Sequence, residues 1–142
     1  LNFSIDQVSG GTCDGTSGNV NCGISHTWVG DIIIKVTSLG GTTVAVYDRP
    51  GVPVPTSVGC SNNNLANILL NDEGGLPAVE TACNTAGGTS AVFPSGNYSP
   101  NNPMSAFDGE NADGTWVVNI SDNAGGDTGT ARAFSLIFNS GN

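Results

Sequence analysis

ISHTWVGDIIIKVT, residues Ile24–Thr37, carries the strongest strand signal in the chain. After Asp31 the sequence becomes a β-branched run in which Ile32, Ile34 and Val36 alternate onto one face. The residues between them are placed on the opposite face. The stretch therefore predicts a strand with one strongly apolar face and a carboxylate at its entrance.

Two stretches near the end of the chain show the same alternation and are expected to pack on this strand. The period of two places every second residue of each stretch on one face. In Thr115–Ser121 the apolar face consists of Trp116, Val118 and Ile120, and in Ala131–Asn139 of Phe134, Leu136 and Phe138. We expect both tryptophans, Trp28 and Trp116, to pack in the core.

Composition favours a small all-β protein over a helical one. The 142 residues include 21 Gly and 7 Pro but only 11% charged residues, which suits short strands joined by tight turns. We predict an antiparallel β-sandwich that forms one domain over residues 1–142, with residues 1–23 assigned less firmly to it. A hairpin loop at Ser38–Gly41, a short strand at Leu65–Leu70 and a helical turn at Ala78–Cys83 complete the expected elements.

The charge balance excludes several classes of partner. With 12 acidic residues against 3 basic ones, the formal net charge is -9. Binding to nucleic acid needs clustered Lys and Arg, and an anionic membrane surface needs the same, so neither partner is expected. No apolar run approaches the roughly 20 residues of a membrane span.

The four cysteines indicate an oxidising, extracytoplasmic compartment. They lack the Cys-x-x-Cys spacing of a zinc site and the chain has one His, so disulfides are the better interpretation. Four cysteines allow three connectivities. We favour the pairing of nearest neighbours, Cys13 with Cys22 and Cys60 with Cys83. The chain begins at Leu1 with neither Met nor a signal peptide, which suggests a mature fragment of a larger precursor.

Catalysis by this chain alone is not expected. A Ser/His/Asp triad would need His26, the only imidazole, and no Gly-x-Ser-x-Gly elbow is present. A histidine at the start of a strand is instead typical of a structural hydrogen bond to a neighbouring loop. We therefore predict that the domain is not an enzyme and has no catalytic residues.

HTWVGDIIIKVTSLGGTTVAVYDRPG, residues His26–Gly51, resembles the core of the P domain, also called the Homo B domain. Furin- and kexin-like proprotein convertases and many secreted bacterial proteases carry this domain beside their catalytic domain. Further segments follow the family pattern in order, namely Leu65–Glu73, Ser105–Glu110, Gly114–Trp116, Asp122–Gly129 and Phe134–Phe138. The resemblance covers roughly Ile24 to Phe138, and Cys60 and Cys83 lie where bacterial members often place a cysteine pair.

The resemblance implies a jelly-roll-like sandwich of about eight strands with an accessory function. Such a domain is expected to be secreted and to stabilise or regulate the catalytic protease domain of its own precursor, with a further role in binding protein substrate. The parent is either a serine or a zinc protease. The alternative is a free-standing extracellular module that binds a fibrous protein or a polysaccharide. A protease domain encoded immediately upstream supports the first function.

Calcium is the one cofactor that the sequence suggests, in a structural role. Asp108–Gly114 fails the EF-hand pattern, because its sixth position is Asp113 rather than Gly. A site shared between loops is the remaining possibility. The resemblance and the excess of acids point to Asp31, Asp72, Glu73 and Glu110, with Arg49 as the one plausible protein counter-ion. We expect the turns that carry these acids to meet at one rim.

Overall fold

The computed structural model describes residues 1–139, which form nine β-strands and no α-helix. The strands are β1 Asn2–Ile5, β2 Ile24–His26, β3 Ile32–Thr37, β4 Thr43–Asp48, β5 Ile68–Leu70, β6 Gly96–Tyr98, β7 Val117–Asp122, β8 Gly129–Ala131 and β9 Phe134–Ile137. A 3₁₀ turn at Val79–Thr81 lies where the sequence predicts a helical turn. The all-β prediction is confirmed.

The strands form three sheets. The order is β6-β5-β1-β9 in the first, β4-β3-β7 in the second and β2-β8 in the third. All pairs are antiparallel except β5 with β6, which are parallel, so the first sheet is mixed rather than purely antiparallel. Buried side chains from all three sheets form one hydrophobic cluster, as expected of a β-sandwich.

β3 is the central strand of its sheet, as its sequence predicts. It pairs with β4 on one side and with β7 on the other. Ile32, Ile34 and Val36 are fully buried, whereas Lys35 between them is exposed. The strand begins only at Ile32, because Val29–Asp31 before it forms a 3₁₀ turn.

The last predicted strand, Ala131–Asn139, is two strands in the structure. The backbone N–H groups of Arg132 and Ala133 both donate to the carbonyl of Gly23, at 2.7 and 3.1 Å. At this point the chain stops pairing with β2 and begins to pair with β1. A side chain at Gly23 would meet the Asp6 carbonyl at 2.0 Å, so the crossing needs a glycine there.

The N-terminal segment is built into the sandwich. β1 lies between β5 and β9, and its inward residues Phe3 and Ile5 are fully buried. The following loop is held by two buried asparagines. The side-chain amide of Asn63 donates to Gly15, and that of Asn64 donates to Asp14 and Thr16.

Two of the edge strands of the sandwich, β7 and β9, approach each other. Within residues 1–139, β7 pairs only with β3 and β9 pairs only with β1, so each strand has one unpaired edge. We call the inward-facing residues of these two strands and their flanks the open edge: Trp116, Val118, Ile120, Phe134, Leu136 and Phe138. The rings of Trp116 and Phe138 meet at 5.0 Å between centroids, so the two strands approach each other there.

Neither strand of the open edge buries its inward face completely. Phe134 and Phe138 are 40% and 43% exposed, and the other four members are half-buried. No helix among the described residues is long and apolar enough to cross a membrane.

Candidate functional site

A polar junction lies where β2 meets the end of β7. His26 is 4% exposed, and its Nδ1 accepts a hydrogen bond from the backbone N–H of Trp28 at 3.0 Å. Its Nε2 lies 3.1 Å from Oδ2 of Asp122. Since Nδ1 is the acceptor, Nε2 carries the proton and donates it to the carboxylate. Both ring nitrogens are therefore occupied, which confirms the predicted structural role of this histidine.

The hydrogen bonds at this junction determine the protonation of Asp122. Partial burial raises the pKa of this carboxyl, but the hydrogen bonds from His26 and from the N–H of Ala124 oppose that effect. The resulting pKa lies below the usual 3.8. Asp122 is thus an anion held by its hydrogen bonds.

A buried carboxylate lies beside this junction. Asp31 is 3% exposed, and its Oδ1 lies 3.6 Å from a guanidinium nitrogen of Arg49. Arg49 is held in place because its Nε donates to the carbonyl of Gly30 at 3.1 Å. Burial raises the pKa of Asp31, and the nearby charge of Asp122 adds to that shift, while Arg49 opposes it. The predicted counter-ion is therefore correct for one acid, Asp31.

Trp28 is a surface residue, which corrects the prediction that it packs in the core. Its ring is half-buried, and its indole N–H donates to the carbonyl of Val58 at 2.7 Å. Trp116, by contrast, packs against the core, with its ring edge-to-face with Phe107 at 5.2 Å. Trp28 differs because the 3₁₀ turn after it ends the alternation that would have directed it inward. The glycine two residues later, Gly30, is the sequence signal for that interruption.

Two clefts flank the Trp28 ring, and Val58 lines both of them. The first, of about 350 Å³, is lined by Val58, Ala124 and Gly125 together with Ser57 and three charged residues, Asp31, Arg49 and Asp127. The second, of about 300 Å³, is lined mainly by Pro55, Gly59 and the Cys60–Cys83 bridge. We call the two clefts together the Trp28 groove. No local sequence pattern predicts this groove, because its walls come from four separate segments.

The predicted calcium ligands have separate partners in the structure. Asp31 pairs with Arg49, as described. Asp72 accepts hydrogen bonds from the backbone N–H groups of Met104 and Ser105, at 2.9 and 2.6 Å. It shares a small cavity of about 120 Å³ with the exposed Glu73.

The fourth predicted ligand, Glu110, lies beside the hairpin that joins β3 to β4. Its Oε1 accepts a hydrogen bond from the Thr42 hydroxyl at 2.6 Å, whereas its buried Oε2 has no hydrogen-bond partner within residues 1–139. Among residues 1–139 no group of three or more acidic, His or Cys side chains is placed to hold a metal ion. The turns therefore do not bring the four acids into one such group, and calcium binding stays a prediction.

Both predicted disulfides, Cys13–Cys22 and Cys60–Cys83, are present. The second bridge lies beside Asn62, a fully buried residue whose side-chain amide donates to the carbonyls of Asn84 and Gly88, at 2.8 and 2.9 Å. The bridge and this asparagine together hold the long loop that forms one wall of the Trp28 groove.

The comparisons with known proteins agree with the resemblance seen in the sequence. Residues 85–138 match a family model described as the proprotein convertase P-domain. The match covers fewer than half of the 142 residues and includes all six residues of the open edge. No curated protein and no solved structure gives a significant match. Residues 85–138 are thus similar to the P-domain family, whose members are non-catalytic domains that accompany a catalytic protease domain.

Proposed function

We propose that this chain is the accessory P domain of a secreted bacterial protease, and that it stabilises or regulates the catalytic domain of the same precursor. The observation that supports this proposal best is the open edge. Its six apolar side chains lie within the segment that matches the P-domain family, and two of them are more than a third exposed. Exposed apolar surface of this kind is typical of a contact with another protein.

The geometry of the open edge suits a protein partner in a second way. Each of its two strands offers an unpaired row of backbone N–H and C=O groups beside the apolar side chains. A catalytic domain packed there would cover the side chains and supply partners for part of the backbone. The parent protease is a serine or a zinc enzyme, and its protein substrate is the further partner we propose. Two disulfides support a secreted protein.

The first test is the reading frame that encodes the chain, in which we expect a protease domain upstream. The second compares Phe134→Ser with Val20→Ser in that full-length protease. Phe134 belongs to the open edge, while Val20, which is 62% exposed, lies outside it. We expect only Phe134→Ser to lower the melting temperature of the catalytic domain, because only this change weakens the proposed interface.

Two results would contradict the accessory function. One is an upstream glycosidase domain, or none, which would favour the binding module for fibrous protein or polysaccharide. The other is hydrolysis of casein by the purified domain alone that survives serine-protease and metalloprotease inhibitors.

Calcium is a separate proposal. The chain carries nine more acidic than basic residues, and Glu110 has a buried carboxylate oxygen without a hydrogen-bond partner. Both features favour a bound cation as charge compensation. Its test, melting in the presence of a chelator, is described in the Discussion.

A further inference from the structure

The Trp28 groove contains an aromatic ring that is held rigidly and only half covered. Because the indole N–H already donates to Val58, the one polar atom of the ring is satisfied within the protein. The ring therefore presents no unpaired polar atom to a ligand. Trp28 lines both clefts, so its partly exposed ring lies where they meet. A fixed aromatic wall of this kind costs little conformational entropy when a ligand packs against it.

The first cleft of the groove has more negative than positive charge. Asp31 and Asp127 both line it, and Arg49 is its single cation. Asp127 also accepts a hydrogen bond from the hydroxyl of Thr27 at 2.7 Å. The nearby Asp122 is already hydrogen-bonded to His26.

Asp31 is the least satisfied group in this cleft. Only 3% of the residue's surface is exposed, but its carboxylate oxygens still reach solvent, since neither is a fully buried atom without a hydrogen-bond partner. Its one partner, Arg49, lies at 3.6 Å, beyond hydrogen-bond distance. Because the one guanidinium group of this cleft faces two carboxylates, an ammonium or guanidinium group of a ligand would add the missing positive charge and further N–H donors.

The second cleft differs from the first because no charged residue lines it. Pro55, Gly59 and the Cys60–Cys83 bridge give it a mainly apolar lining. Trp28 and Val58 line both clefts, so a ligand that crosses this wall would meet an acidic cleft on one side and an apolar cleft on the other.

We propose that the Trp28 groove binds an extended polypeptide segment in which a Lys or Arg side chain is followed closely by an apolar one. The cation packs against the ring of Trp28 and donates hydrogen bonds to Asp31 and Asp127. The apolar side chain enters the cleft beside the Cys60–Cys83 bridge. The net charge of -9 supports a basic partner by long-range attraction. This inference rests on the groove alone and holds whether or not the chain is joined to a protease.

The two tryptophans provide the experiment with a built-in control. Each indole N–H donates to a backbone carbonyl, that of Trp28 to Val58 and that of Trp116 to Ala112. We would titrate the ¹⁵N-labelled domain with an end-capped Gly-Leu-Arg-Leu-Gly peptide and follow both indole resonances. As peptide is added, the Trp28 signal is expected to shift until binding saturates, while the Trp116 signal stays in place. A peptide with Gln in place of Arg is expected to bind about tenfold more weakly, because it lacks the charge.

Variants identify the acidic side of the groove. Asp127→Asn keeps an oxygen that can accept from Thr27, so it removes the charge with little change of structure. It is expected to weaken binding of the Arg peptide about tenfold and to leave the Gln peptide unaffected. Asp113→Asn is the matched control, since it removes one charge from an exposed turn outside the groove. We expect the control to change binding by less than about twofold.

Several results would overturn the proposal. They are the absence of any shift at Trp28 with peptide at about 1 mM, equal binding of the Arg and Gln peptides, and equal losses from Asp127→Asn and Asp113→Asn. A shift of Trp28 caused by an uncharged oligosaccharide such as cellohexaose, with none from the peptide, would assign the groove to a sugar instead. Displacement of the peptide by calcium at constant ionic strength would assign it to a metal ion.

Discussion

The β3–β4 hairpin and the open edge share one sequence pattern, but their inward side chains differ in exposure to solvent. Both alternate apolar and other residues with a period of two. In β3, the inward residues Ile32, Ile34 and Val36 are fully buried, whereas Phe134 and Phe138 of the open edge are more than a third exposed. β3 has a hydrogen-bonded strand on each side, whereas β7 and β9 each pair with one strand among the described residues. β4 also has a single neighbour among the described strands, yet its inward Val44 and Val46 are buried. Alternation thus determines which way a side chain faces, and the layer packed on that face determines whether the side chain is covered.

The two regions should differ most in the free energy of unfolding that is lost when an apolar side chain is replaced by Ala. Ile34→Ala should lower the free energy of unfolding by about 4 kcal/mol, because it leaves a cavity at a position with no exposure. Phe134→Ala should cost less than about 2 kcal/mol, although it removes more atoms, because water already reaches the ring. Urea unfolding of both variants at neutral pH measures the two values. Equal losses would mean that the open edge is as well packed as the centre of the sandwich.

The disulfides should show a smaller effect that again depends on the region. Replacing Cys60 and Cys83 by Ala should lower the free energy of unfolding by about 3 kcal/mol, because that bridge closes a loop with a sequence separation of 23. The Cys13–Cys22 bridge, with a separation of 9, should contribute somewhat less. Denaturant unfolding of the two double variants provides the comparison. A larger loss from the shorter loop would contradict the chain-entropy explanation.

The parts of the fold that the sequence predicts well are those in which local pattern and tertiary packing agree. The β3 strand, its hairpin and both disulfides are of this kind. The sequence predicts neither β6 nor a β8 separate from β9, because β6 and β8 have three residues each and exist only through their partner strands. The Trp28 groove was missed for a related reason. Its walls meet only after Arg49, Val58 and Asp127 have been brought together from distant parts of the chain, and no local spacing records that.

The pH dependence of stability should separate two aspartates that lie close together. The pKa of Asp122 is lowered on folding, so its ionised form stabilises the protein above pH 3.8, and this contribution is lost as the pH falls through the lowered value. The pKa of Asp31 is raised on folding. Its ionisation therefore lowers the stability of the folded protein as the pH rises from 3.8 through the raised value.

The corresponding amide variants should therefore change stability in opposite directions with pH. Relative to the wild type, Asp122→Asn should be less stable at pH 7 than at pH 3, with a difference below about 1 kcal/mol because the group is partly exposed. The stability of Asp31→Asn relative to the wild type should instead be higher at pH 7 than at pH 3. Thermal melts of the three proteins across this range test both signs. Parallel curves would contradict the assignment of the two pKa shifts.

The calcium prediction concerns acids outside the buried hairpin and is expected to give the smallest effect. Excess EGTA should lower the melting temperature, since a cation that binds only the folded state stabilises it by mass action. Asp72→Asn or Glu110→Gln should abolish that sensitivity. An unchanged melting curve in EGTA, with no metal found by elemental analysis, would leave these acids as ordinary partners of the protein groups they contact.

The central claim is that the open edge is the surface that packs on a catalytic domain. Hydrogen exchange of the backbone amides, measured on this domain alone and within its full-length parent protein, tests it most directly. We predict that amides of β7 and β9 exchange at least about tenfold more slowly in the parent, while those of β3 and β4 remain unchanged. Identical exchange of β7 and β9 in the two proteins would contradict the claim.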